Sequence, residues 1–189
     1  FYKLRSKITI NLNDENIIIF SLNPKFKINS TIEFNDPRNE KFGKYFLISN
    51  KENIENNFDN TDYYYKFLSE NGLIDEIFTQ IKDQYFSLEL NMKELNAIDF
   101  AKGCFVGQEN TSRMNLKDKI ARRIFLLQSQ DNLKSNENLI FDNQIVGKVL
   151  TSNPIFGLIK MSNFDNFKNK NLNNEGKKEV KINIPVWLI

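Results

Sequence analysis

Beyond about residue 120 the apolar side chains come in short groups, at 124–127, 139–141, 145–150, 155–160 and 180–188, with turn-forming residues between them. Groups of this length suit strands, and gaps of hairpin length make successive strands antiparallel. The pattern therefore predicts a small antiparallel barrel or sandwich that forms a second domain. The polar run 163–178 reads as a mobile surface connection or hairpin tip, and Trp187, near the end of the last group, reads as barrel core.

The preceding residues mix two periodicities. Residues 4–12 and 16–22 read as strands joined by a turn at Asn13 and Asp14, and 31–34 lead into the turn Asn35-Asp36-Pro37 before a further strand at 45–48. Arg38 reads as a turn-anchored arginine that ties strands together. From Asp62 the spacing becomes helical through Tyr64, Phe67 and Leu68, with Gly72 as a stop, and Leu73, Ile74, Ile77, Phe78 and Ile81 predict one more helix or turn. Residues 86–90 then read as extended. The Tyr63, Tyr64, Tyr65 run fits helix packing better than a base-stacking surface, because no basic stripe accompanies it. The fold class is α+β, with a mixed core over 1–118 and the barrel over 119–189.

Charge narrows the function. Lys and Arg number 26 against 24 Asp and Glu, a net of +2, so no overall field marks a nucleic-acid or membrane binder. No apolar run reaches the roughly 20 residues that a membrane helix needs. The single cysteine, Cys104, excludes an internal disulfide and suits a reducing compartment, cytoplasmic or mitochondrial matrix. Histidine is absent, which removes Ser-His-Asp and Cys-His catalysis and leaves too few soft ligands for a zinc site made by this chain alone. The strand-like alternation of Ile8, Ile10 and Leu12 soon after Phe1 reads as a fold entered midway, an N-terminal truncation.

The most unusual stretch is Lys102, Gly103, Cys104, Phe105, Val106, Gly107, Gln108, Glu109, in which two of the seven glycines bracket the cysteine. Glycine on both sides permits backbone conformations barred to other residues and close approach of a ligand. An extended 102–104 would put Lys102 and Cys104 on one face, and a helix over 108–116 would carry an ion pair between Glu109 and Arg113. A neighbouring ammonium and a helix N-terminus both lower a thiol pKa from about 8.5, which makes Cys104 a nucleophile or metal ligand. On pattern alone an equal reading stands beside it: Cys104 as a small buried hydrophobe in a glycine-shaped turn.

The string K-G-C-F-V-G-Q-E closely resembles the K-G-C-F/Y-x-G-Q-E signature of the YgfZ-type folate-binding proteins, a family related to the glycine-cleavage T-protein that includes a mitochondrial iron–sulfur assembly factor. The resemblance extends through F-S-L-E-L-N at 86–91, T-S-R-M at 111–114, Asp36-Pro37-Arg38, and the helix that begins with tyrosines, and so covers most of the chain. It implies a T-protein-like folate-binding core followed by a C-terminal β-barrel, with tetrahydrofolate or a derivative as cofactor. It also implies iron–sulfur client or assembly proteins as partners, with no direct nucleic-acid or membrane contact. The implied role is accessory, in cluster assembly or repair, with an indirect effect on tRNA modification.

Residue by residue, the resemblance makes Cys104 the functional thiol with Lys102 beside it, and Glu89 the carboxylate that accepts the paired N–H groups of a pterin. Asn91, Lys102 and Arg113 join Glu89 as folate contacts, while Gln108 and Glu109 organise the loop and cap the helix. The alternative is a folate-dependent aminomethyltransferase resembling the T-protein. The cysteine motif speaks against it, since T-proteins do not characteristically carry K-G-C-x-x-G-Q-E and their functional aspartate would lie ahead of Phe1. A single cysteine cannot hold a cluster unaided, because stable clusters take about four thiolates.

Overall fold

The computed structural model describes residues 17–23, 25–49, 61–103, 107–117 and 120–188. They fall in two compact units, Phe1–Phe58 and Asp59–Ile189. The strand expected at 4–12, its turn at Asn13 and Asp14, and the domain boundary expected at 118/119 lie outside the described residues.

In the first unit, β1 (Ile17–Ser21), β2 (Ile32–Asn35) and β3 (Lys44–Ile48) form an antiparallel sheet in the order β1-β3-β2. Because side chains alternate along a strand, Ile19, Phe46 and Ile48 share one face and bury against Phe26 and Ile28. The turn between β2 and β3 is held by Asp36, whose two carboxylate oxygens accept from Arg38 Nε at 3.0 Å and Nη2 at 2.7 Å, with Tyr45 Oη donating at 3.1 Å. Burial would push this carboxyl up, but the fork of Arg38 and the tyrosine hydroxyl outweigh it and hold the group below its usual range. Arg38 therefore ties the turn to β3, as its position after Pro37 suggested. Gly43 ends the turn at φ +105°, where an added Cβ would stand 2.3 Å from the Ser21 carbonyl oxygen.

The second unit opens with α1 (Thr61–Glu70), which buries Leu68 and stops at Gly72, φ +72°. There the Leu73 N–H reaches back to the Leu68 carbonyl, closing the helix as a left-handed glycine cap does. Only Tyr64 of the three tyrosines is half-buried; Tyr63 and Tyr65 are exposed, because one residue on a helix turns about a quarter circle away from the packed stripe. A 3-10 turn (Asp75–Ile77) and the single-turn α2 (Phe78–Ile81) follow and bury Ile77 and Ile81.

Residues 86–90 are not extended as expected, and with 91–96 they form turns. Their N–H groups bond back three to five residues, as from Leu90 to Phe86 and from Met92 to Ser87, with Asn91 and Asn96 at positive φ. The apolar residues at 88 and 90 imitate a strand. Asparagine tolerates the left-handed conformation, and here it converts the run into consecutive turns that bury Leu88, Leu90 and Leu95. Helix α3 (Glu109–Leu116) then leads to the barrel.

Six strands close the barrel: β4 (Arg122–Gln128), β5 (Asn138–Phe141), β6 (Gln144–Ser152), β7 (Ile155–Lys160), β8 (Leu172–Asn174) and β9 (Glu179–Asn183), in the order β4-β7-β6-β5-β8-β9 with β9 returning to β4. The α+β class and the C-terminal barrel thus hold. Phe125, Leu127, Leu139, Val149, Ile159 and Val180 fill one core. Ile124, Leu150, Phe156 and Leu158 pack instead with Ile74, Ile77, Ile81 and Leu90, so β4 is buried on both faces.

Two expectations are corrected here. The 163–178 run is no surface connection: it supplies β8, which closes the barrel between β5 and β9, and it buries Phe167 and Leu172 in the core. Three apolar anchors spread among asparagines and lysines are enough for this. Trp187 is not barrel core either. The last apolar group leaves the strand at Asn183, and in the 3-10 turn Val186–Leu188 the Trp187 indole donates to the Asn71 carbonyl at 2.8 Å, fastening the end of the chain to the end of α1.

Candidate functional site

The signature at 102–109 lies between the 86–100 stretch and α3. Cys104 and Phe105, with Val106, are outside the described residues. On one side of them Lys102 and Gly103 are exposed, and among the described residues nothing lies within 4 Å of a Cβ built on Gly103. On the other side Gly107 sits at φ +93°, a backbone conformation that favours glycine, and again no described residue lies within 4 Å of an added Cβ.

Gln108 occupies the position before α3, but its side chain does not cap the helix as expected; Nε2 donates to Ser112 Oγ at 3.1 Å instead. Gln108 has nearly helical angles (φ −86°, ψ −11°), which aims its side chain along the helix and not back over the first turn. Glu109 and Arg113 are both exposed, and the expected ion pair between them is not formed. Such a pair is worth only about 0.2–0.5 kcal/mol on a helix surface, too little to hold two long side chains in a two-turn helix.

Lys102, Gln108 and Thr111 line a cleft of about 180 Å³ together with Ser87 and residues 97–100. Both arms of the signature therefore border the same cavity. Glu89, Asn91 and Arg113 are not part of its lining. Glu89 is 3% exposed; its Oε1 accepts from Arg122 Nε at 2.8 Å and its Oε2 from the Phe86 N–H at 3.2 Å. Asn91 is also buried, donating to the Ile124 carbonyl at 2.9 Å and accepting from Arg123 Nη1 at 2.9 Å. Arg122, Arg123 and their further partner Glu94 were not singled out in the sequence, where the only signal is two adjacent arginines at the head of a strand.

Ligand pockets run to roughly 300–1,000 Å³, the cleft is smaller, and the carboxylate expected to grip the pterin is turned to a protein partner. Among the described residues no group of three or more Cys, Asp or Glu side chains is arranged to hold a metal ion.

No family model matches the chain. Among curated proteins, it is 28% identical over 144 residues to the mitochondrial iron–sulfur cluster assembly factor IBA57 homolog of Dictyostelium discoideum, covering 66% of this chain and 35% of that protein. It is 26% identical over 143 residues to the tRNA-modifying protein YgfZ of Aliivibrio fischeri, covering 67% of this chain and 45% of that one. A shorter match, 44% identical over 46 residues, links it to YgfZ of Colwellia psychrerythraea and covers 24% of this chain and 14% of that protein. The chain thus spans less than half the length of the curated relatives it matches. With these relatives over about two thirds of its length and a closed C-terminal barrel, the chain is similar to the YgfZ and IBA57 proteins.

Proposed function

We propose that this chain serves iron–sulfur cluster assembly or repair as an accessory factor, with Cys104 as its functional thiol and tRNA modification dependent on it indirectly, through modifying enzymes that carry clusters. The observation that carries the reading is that Lys102 and Gln108, on either side of the cysteine in the sequence, line one cleft. Two features favour ionisation of the Cys104 thiol. Lys102 brings an exposed ammonium with no carboxylate partner among the described residues. Helix α3 begins directly after Gln108, and the positive end of its dipole favours a negative charge close by. A thiolate there can attack a sulfur species or ligate iron, and since one thiolate cannot hold a cluster, the remaining ligands come from a client or assembly protein.

Tetrahydrofolate or a derivative is proposed as a ligand of the whole protein, to which this stretch offers one cleft wall and the Lys102 cation for the glutamate tail. Such a thiol suits the bacterial cytoplasm or the mitochondrial matrix. The test is Cys104→Ala in the full-length protein, in cells whose cluster enzymes depend on it. Activities of cluster-containing enzymes should fall to the level of the deletion; unchanged activities at normal protein abundance would refute the assignment.

A further inference from the structure

We infer that Glu89, Asn91 and Glu94 are positioning residues: through Arg122, Arg123 and Ile124 they fasten the 86–96 turns to the first barrel strand and so set the cleft that Lys102 and Gln108 border. The inference rests on the reading of that cleft as the working site.

Three consecutive residues of β4 are gripped by one short stretch. The Ile124 N–H donates to the Glu89 carbonyl at 2.8 Å, and the Ile124 carbonyl accepts from Asn91 Nδ2 at 2.9 Å, so Ile124 is bonded as if the turns were another strand. Arg122 Nε meets Glu89 Oε1 at 2.8 Å. Arg123 spans two partners, Asn91 Oδ1 at 2.9 Å from Nη1 and Glu94 Oε1 at 2.6 Å from Nη2. The Glu89 side chain is 3% exposed and that of Arg123 is 17% exposed, so removing either partner would leave a charge with little water to replace it.

The clamped stretch is flanked on both sides by the lining of the cleft. Ser87 lies at its start and residues 97–100 follow its end, and both line the cavity. Within it, Lys93 Nζ donates to Asn115 Oδ1 at 2.7 Å, tying the turns to α3, the helix that begins directly after Gln108. Leu90 and Ile124 belong to one core cluster, which makes the joint rigid as well as polar. The connection therefore runs from the barrel through residues 89–94 to both elements that form the cleft.

This role and a direct pterin contact predict opposite responses at Arg122. If Glu89 acts as a clamp, Arg122→Met loosens the wall and weakens tetrahydrofolate binding. If Glu89 is the pterin carboxylate, the same change frees it and tightens binding. The experiment uses the full-length protein with Arg122→Met, Arg123→Ala, Glu94→Ala and the exchanged pair Arg123→Glu with Glu94→Arg. Amide exchange over 97–103 should rise about tenfold or more in each single variant, since the wall now opens locally. The pH profile of Cys104 alkylation by iodoacetamide should move up, slowing the reaction about tenfold at neutral pH for a shift of about one unit. The exchanged pair should restore both. Unchanged exchange and an unchanged pH profile, even with a lowered melting temperature, would overturn the proposal, and so would tighter tetrahydrofolate binding by Arg122→Met. Should a single variant fail to fold, Glu89→Gln keeps the shape and the same readouts decide. An inert Cys104→Ala would remove the proposed function but leave the exchange result standing, so the two failures are distinguishable.

Discussion

Phe167→Ala tests whether the 163–178 stretch is architecture or decoration. The ring is 2% exposed, lies 5.6 Å edge-on from Phe164 and 5.9 Å from Phe141, and sits in the barrel core with Leu172 and Val180. Truncating a buried phenylalanine to alanine costs about 3–5 kcal/mol, the lost transfer of the ring plus the cavity left behind. Against the roughly 5–15 kcal/mol that holds a domain folded, that removes about a fifth of the stability at the least. The melting temperature should fall by roughly 10–20 °C. The control is Asn166→Ala in the same stretch, an exposed site where the change should stay within about 0.5 kcal/mol. Urea unfolding followed by far-UV circular dichroism and by the fluorescence of the single tryptophan, Trp187, measures both, with the same urea dependence expected for each. If the two variants were equally stable, Phe167 would not be a core residue.

Two further outcomes follow from local geometry. The Asp36 carboxyl has a reference pKa of 3.8 and is held lower in the fold, so its contribution is complete above pH 3.8 and is lost as pH falls through the lower folded value. Asp36→Asn should therefore cost about 1–3 kcal/mol at pH 6, and the gap to the parent protein should narrow only below pH 3.8; urea titrations at several pH values check this, and a gap unchanged at pH 3 contradicts it. Gly107→Ala should cost about 1–2 kcal/mol through its positive φ alone, whereas Gly103→Ala, in open space at an ordinary φ, should stay within about 0.5 kcal/mol; equal costs in urea unfolding would refute the distinction.

The barrel was readable where strands are dense in apolar residues. Phe125, Leu127, Val149 and Ile159 stand in runs whose length alone separates strands from helices. Strand β8 was not readable for the converse reason. It is three residues long, with Leu172 its only hydrophobe, and it exists because β5 and β9 leave their hydrogen-bonding edges open to it. Pairing of that kind is decided by the neighbours and leaves little trace in the strand itself. Trp187 fails similarly: a tryptophan in an apolar group looks like core, and only the Asn71 carbonyl, 116 positions earlier in the chain, gives its indole N–H a reason to point elsewhere.

At the candidate site the same division separates motif from role. The glycine at 107 declares a backbone conformation, and Lys102 and Gln108 come to one cleft because they are close in sequence and α3, which begins directly after Gln108, is tied back to the turns through Lys93 and Asn115. Glu89 is different. A carboxylate flanked by leucines looks reserved for a ligand, since an unpaired buried charge is costly and something must compensate it. The compensation comes from Arg122, 33 residues downstream, which periodicity assigns only to the head of a barrel strand. Two adjacent arginines opening an otherwise apolar strand therefore carry a signal of their own. With Ile124 and Phe125 filling opposite cores, the strand is buried on both faces, and the charges at its head must be met by acids from whichever segment packs across it. Here that segment is the one holding Glu89 and Glu94, which joins the turns before the cleft to the barrel.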